Sequence, residues 1–170
     1  MIPTLTTERL TLRAPKLADF DAFAAFGASD RSHFMGGPVH PANSWQKFCA
    51  VIGHWTLRGY GRWIVTEMGA DQALGLVGLH HPLEWPEPEI AWTLYDGAEG
   101  KGYAHEAALA ARAHAYDTLG WTTAISFVDP ANTRSLALAR RLGCRADGTF
   151  EHAVFGTMHI QRHPGPEETA

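Results

Sequence analysis

A mixed α/β fold built on one central sheet, antiparallel in its first half and parallel at a single crossover, is what this 170-residue sequence predicts. Two observations carry the prediction. Three β-rich runs, "GRWIVTE", "ALGLVGLHH" and "PEIAWTLY", follow one another across short turn segments, as in a meander. The last of them is followed by an alanine-rich helical stretch and then "TTAISFV", and a strand–helix–strand order implies a right-handed crossover between parallel strands.

Each element has a local reason. "RLTLRAP" reads as a strand closed by Pro15. Asp19 is placed to cap a helix running to about Ala28, with Phe20, Phe23 and Phe26 at helical spacing. A loop with Gly-Gly-Pro turn chemistry, "RSHFMGGPVHPAN", precedes a second helix in which Asn43 or Ser44 is the expected cap. There Trp45, Phe48, Ile52 and Trp55 recur at i, i+3, i+7 and i+10, and Gly59 is the expected stop. The aromatic residues Trp45, Trp55 and Trp63 are expected in the core. After the meander, a helix is predicted from about Ala104 to Leu119, a shorter one from about Asn132 to Leu142, and a final strand pair near "RADGTF" and "GTMHIQR". The expected sheet has six or seven strands flanked by about four helices. Residues 1–163 read as one domain, and the polar, proline-containing segment 164–170 as a disordered tail.

Composition excludes several classes. Forty-five per cent apolar and nineteen per cent charged residues with a net charge of −4 fit a globular protein with no polyanion partner, so neither nucleic acid nor an anionic membrane is expected. Two cysteines cannot form a disulfide framework, no apolar run reaches the ~20 residues of a membrane span, and "MIPTLTTERL" lacks a signal-peptide profile; a cytoplasmic location is expected. Of the ten histidines, His80 and His81 fall on opposite faces of a strand and no His-Glu-x-x-His occurs, so no metal site is expected.

The most informative stretch is "EGKGYAHE", residues 99–106, at the turn from the third meander strand into the crossover helix. Glycines at 100 and 102 and small Ala104 bare the backbone where helix amides lack internal partners, which suits an anion; a tight turn alone would also use them. The segment is not a P-loop, because Tyr95 stands five before Gly100 and Gly102 follows Lys101. It is not a dinucleotide fingerprint either, because His105 stands where a third glycine or alanine belongs.

It does resemble the acyl-CoA pyrophosphate loop of the GNAT superfamily of N-acetyltransferases, Gln/Arg-x-x-Gly-x-Gly/Ala, through Gly102 and Ala104. "TERLTLR", "EIAWTL", "GYAHEA" and "VDPANTRSLALARRLGC" follow in the order of the RimJ/RimL-like branch, and the resemblance covers about residues 5–162. It implies a GNAT-like three-layer fold and an acetyl-CoA-dependent N-acetyltransferase acting on a primary amine, either a protein N-terminal α-amine or a small molecule, with possible homodimer formation. It places Trp92, Thr93 and Leu94 along the pantetheine chain, Gly100, Lys101, Gly102, Tyr103 and Ala104 at the pyrophosphate, and Asn132 and Ser135 beside the cofactor. Three departures stand out: Glu99 sits in the Gln/Arg position, with Lys101 as a compensating charge; Cys144 replaces an aromatic residue; and Ala139 replaces a tyrosine that protonates the leaving thiolate in many members.

An amine that attacks a thioester must first be neutral, so a proton acceptor is required. Glu89, heading "EIAW", matches a position where the family often carries a catalytic glutamate, while Glu84 and Glu87 read more simply as solvated hairpin charges. Ser135 is either the proton donor to sulfur or a helix-start cap, and Asn132 either a cap or a pantetheine contact. Phe34 and Met35 either line an acceptor pocket or anchor their loop. A non-catalytic acyl-CoA sensor and a partner-binding module on the same fold remain alternatives at this point.

Overall fold

A computed structural model describes residues 1–169. Its sheet has eight strands in the order β1-β2-β3-β4-β5-β6-β8-β7: β1 Leu5–Thr6, β2 Leu10–Arg13, β3 Arg62–Glu67, β4 Gly75–His80, β5 Glu89–Leu94, β6 Ile125–Val128, β7 Arg145–His152 and β8 Gly156–Arg162. All neighbours pair antiparallel except β5 and β6. The eighth strand, absent from the six or seven expected, is β1. It is only two residues long, too short for a periodic signal, and it exists because a turn at Thr7 folds it back onto β2.

The helices are α1 Phe20–Ala28, α2 Pro41–Arg58, α3 Tyr103–Ala113, α4 Thr133–Arg141 and the short α5 Pro166–Thr169. Strand alternation sends Trp63, Val65, Val77 and Leu79 into a core shared with Ala107, Ala108 and Ala111 of α3. It sends Ile64 and Leu76 to the opposite face, against Val51 of α2 and Phe23 of α1. The alanines let α3 lie close on the sheet, and the two clusters make three layers.

Local expectations were revised at three places. Asp19 does not cap α1 with its side chain. Its carboxylate binds the Arg13 guanidinium at 2.7 and 2.8 Å and accepts from the Lys16 amide at 2.8 Å. Helix α2 starts at Pro41, ahead of Asn43 and Ser44, with the His40 ring nitrogen accepting from the Ala42 amide. Its buried stripe is Ser44, Phe48, Val51 and Trp55, one position round from the expected one. Trp45 and Ile52 are therefore exposed, and Trp45 packs edge-on against Phe20 at 5.2 Å instead of entering the core. In the segment expected to be a structureless tail, Pro166–Thr169 form a helical turn and Glu168 pairs with Arg145; Ala170 lies outside the described residues.

Candidate active site

The site begins where the sheet forks. Strand β5 pairs with β4 along its whole length, from Glu89 opposite His80 to Leu94 opposite Gly75, but touches β6 in register only at Glu89 and Ile125. Beyond that point the two parallel strands separate. The Tyr95 amide bonds to Leu74 of the β4 side, so antiparallel alternation turns the main-chain groups of Ile90, Trp92 and Leu94 toward the gap. The Ile90 carbonyl accepts from the Ser126 hydroxyl at 2.6 Å, and the Leu94 carbonyl from Arg31 at 3.0 Å. The Trp92 amide and carbonyl are left facing an open cleft. Thr93 pairs its main chain with Leu76 of β4, so its backbone is turned away from the gap and it meets the cleft through its side chain.

A buried relay braces the fork. His163 bonds the Ser126 hydroxyl at 2.9 Å through Nε2, and Arg112 reaches His163 Nδ1 at 3.5 Å while donating to the Leu142 carbonyl at 2.7 Å. Because the Ser126 hydrogen goes to Ile90, His163 must donate from Nε2 and accept at Nδ1. Burial pushes its pKa down to about 3, which keeps the ring neutral as that pattern requires.

Glu89 sits in the crotch of the fork, 6% exposed. One carboxylate oxygen accepts from the Trp85 indole at 2.9 Å, the other from the Phe127 amide of β6 at 3.1 Å. That amide would bond to a β5 carbonyl if the parallel ladder continued, and the splay frees it for the side chain. Burial raises the Glu89 pKa to about 7, against the opposing pull of its two hydrogen bonds and of Arg62. The neighbouring acids are engaged elsewhere: Glu84 meets His152 at 3.0 Å, and Glu87 meets Arg162 at 2.6 and 2.8 Å, which holds it below its ordinary value.

At the far end of the cleft the glycine turn adopts left-handed angles, with φ of 77° at Gly100 and 82° at Gly102. Gly102 is the N-cap of α3, and no side chain caps the helix. A Cβ at Gly100 would meet nothing within 4 Å, so conformation rather than space selects glycine there. Arg9 fixes the turn from outside, binding Glu106 at 2.7 Å and the Lys101 carbonyl at 3.0 Å. Glu99, whose charge was expected to oppose an anion, is paired with Arg31 at 2.7 Å and Arg134 at 3.1 Å. The compensating charges are thus two arginines; the Lys101 ammonium lies over the Tyr103 ring.

Helix α4 closes the cleft. The Asn132 side chain accepts from the Ser135 amide at 3.1 Å, so the cap is Asn132 and not Ser135. The Ser135 hydroxyl instead accepts from the Trp92 indole at 3.3 Å and keeps its own hydrogen to donate. Ala139 is fully buried in the core, and burial pushes the nearby Cys144 thiol up to about 11, so neither supplies a proton at neutral pH.

Glu89, Trp92, Thr93, Leu94, Gly100, Lys101, Gly102, Tyr103, Ala104, Asn132 and Ser135 line one cleft of 1160 Å³, which extends past Phe34 and Met35 to the α1–α2 side. The free strand groups at Trp92 and the uncapped first turn of α3 are donors and acceptors that an extended amide chain ending in a diphosphate would satisfy. Among the described residues no cluster of three or more metal-binding side chains exists, and no helix is long and apolar enough to cross a membrane. Arg31, Ser126 and His163 escaped sequence reading because no functional motif contains them, and Arg134 because it fills a variable position of the "VDPANTRSLALARRLGC" segment. Trp85 was legible only as part of "LEWPEPE", a hairpin.

Residues 9–145 match the acetyltransferase (GNAT) domain family. An acetyltransferase from Agrobacterium tumefaciens superposes with a TM-score of 0.89 at 39% identity, covering 96% of this chain and 95% of that one. Two more distant structures share the fold. A GNAT-family acetyltransferase from Bacillus anthracis has a TM-score of 0.78 at 20% identity, covering 94% and 97%. RimJ from Mycobacterium smegmatis, in complex with CoA-disulfide, has 0.74 at 16%, covering 94% and 83%.

Proposed function

Because the chain belongs to the GNAT family of acetyltransferases, we propose that it transfers an acetyl group from acetyl-CoA to a primary amine by direct attack on the thioester. The observation that carries this reading is Glu89, a buried carboxylate with a pKa of about 7, set at the apex of the strand fork. The RimJ/RimL-like wording of "TERLTLR" and "GYAHEA" supports a place in that branch, and hence a protein α-amine among the acceptors to be tried; a cytoplasmic location fits the same reading.

Acetyl-CoA, when bound, supplies an activated acyl group on sulfur. The protein's own groups do the rest. The amides at Gly102, Tyr103 and Ala104 and the start of α3 bind the diphosphate. The main chain of Trp92 and Leu94 pairs with the pantetheine arm, and an amide facing the gap polarises the thioester carbonyl. Glu89 takes a proton from the incoming ammonium, through water, and passes it to solvent. As the C–N bond forms and the C–S bond breaks, nitrogen gives up a second proton and sulfur gains one; the Ser135 hydroxyl, its oxygen anchored by Trp92, relays it, giving its hydrogen to sulfur and taking the nitrogen's proton in return.

Thermal unfolding with and without acetyl-CoA tests the premise. At 100 times the dissociation constant the folded state gains about 2.7 kcal/mol, a rise of roughly 5–10 °C for a chain of this size. Thiol release with a panel of amines then reads turnover. No shift at millimolar cofactor would refute the proposal.

A further inference from the structure

The acceptor side of the cleft holds a cation that makes no ion pair or side-chain hydrogen bond among the described residues. Arg62 opens β3, and alternation with buried Trp63 turns its side chain toward α1 and α2, where it lines both the main cleft and a smaller pocket of 140 Å³ shared with His54 and His80. The other arginines in that cleft pair their side chains with acids or stand exposed: Arg31 binds Glu99 and Asp96, Arg134 binds Glu99, and Arg141 is exposed. No described residue gives the Arg62 guanidinium a hydrogen bond or an ion pair. His80 is held neutral, its pKa pushed down to about 2 by burial and by Arg62, and His54 is lowered as well. Glu89 attracts Arg62 through space but makes no ion-pair contact with it; its two oxygens accept from Trp85 and Phe127. The side chain is half-buried and its nitrogens stay open to the cleft, so the guanidinium is free to bind an anion there.

Its position says which ligand. Arg62 stands opposite Gly78 of β4, which stands opposite Ala91 of β5, so the cation lies two strands, about 10 Å of backbone, from the strand that carries the base. Cross-strand pairing and strand alternation put the Arg62 and Glu89 side chains on the same face of the sheet, both lining the main cleft. The same cleft is lined by the aromatic rings of Phe23, Phe26, Phe34 and Phe155.

We propose that Arg62 holds the carboxylate of an acceptor that carries amine and carboxylate on the same small skeleton, a free amino acid with an apolar side chain, so that its ammonium falls beside Glu89. The inference rests on the acetyl-transfer reading and narrows its acceptor. A protein α-amine, whose own carboxyl is in an amide, leaves the guanidinium unanswered. A fork of donors that matches a carboxylate bidentately discriminates strongly against analogues lacking it.

The experiment compares L-leucine and L-phenylalanine with their amides, with isoamylamine and phenethylamine, and with a peptide beginning in leucine, as thiol release from acetyl-CoA. The expected result is a kcat/KM for the acids at least roughly 100-fold above that for amides, amines and peptide. Arg62→Met should abolish that ratio, mainly through KM of the acids, with the dissociation constant for CoA unchanged, and Arg62→Lys should restore part of it. Equal turnover of acids, amides and amines overturns the inference and leaves acetyl transfer standing. So does an Arg62→Met variant that slows every acceptor equally, since the cation would then act only through the field at Glu89. If neither thiol release nor a CoA-induced rise in Tm is seen, acetyl transfer itself fails. Millimolar L-leucine then decides the carboxylate site alone: a rise in Tm that Arg62→Met removes supports it, and no rise overturns it.

Discussion

Replacing Glu89 by Gln separates two consequences of one buried carboxylate. Glu89 has a pKa of about 7 in the folded protein, against an ordinary value of 4.5, so the folded state binds its proton more tightly than the unfolded chain does. The stabilisation is therefore fully present below about 4.5 and is lost as pH rises through about 7; the gap corresponds to roughly 3 kcal/mol. Glutamine cannot ionise, and it leaves one of the two donors, the Trp85 indole or the Phe127 amide, without an acceptor. That second effect is independent of pH. Measured by urea unfolding between pH 5 and 8.5, the stability of the variant relative to wild type should climb with pH by up to about 3 kcal/mol, whatever its starting offset. Activity should move the other way. Wild-type kcat/KM should rise tenfold per pH unit below about 7 and then level off. The variant must use amine already neutral in solution, about 10⁻³ of an alkyl amine of pKa ~10 at pH 7, so it should lose ~10³-fold there and regain about a decade per unit up to pH 10. For an α-amine of pKa near ~8 the loss should be only ~10-fold, so its size also reports on the acceptor. A variant whose pH–rate profile overlays wild type would refute Glu89 as the base, and a flat stability difference would refute its raised pKa.

Three further outcomes follow from the cleft. Gly102→Val should raise the dissociation constant for CoA at least tenfold by calorimetry, because φ of 82° is hostile to a β-branched residue at the helix cap; unchanged affinity in a folded variant would place the diphosphate elsewhere. Ser135→Ala should lower kcat with CoA affinity unchanged and cost under about 0.5 kcal/mol of stability, since Asn132 is the cap; a loss of about 1 kcal/mol with full turnover would make the hydroxyl structural. Glu99→Gln removes the charge that engages Arg31 and Arg134 and should tighten CoA binding by roughly 2–5-fold at low salt, the worth of a partly exposed pair; weaker binding would mean those arginines need Glu99 to position them.

The sequence by itself determined the elements and the glycine-rich helix start at one end of the cleft. Periodicity found the meander, the crossover and four helices, and "EGKGYA" located an uncapped helix start, because turn chemistry and helix capping are local and leave their marks within a few residues. Glu89 was nameable but not distinguishable from Glu84 and Glu87, for a carboxylate's role is set by what surrounds it. Only the fold put Arg162 on Glu87 and His152 on Glu84 while leaving Glu89 dry, between an indole from its own hairpin and an amide from a strand 38 residues away. Ser135 and Asn132 were likewise interchangeable as caps until Trp92 claimed one hydroxyl. The buried stripe of α2 was misread by one position, as a helix of mixed aromatics does not say which side meets the sheet. Arg62, Ser126 and His163 carried no signal at all: burial, an unanswered charge and a hydrogen-bond relay are properties of distance in space, and a chain acquires them only when its strands are laid side by side.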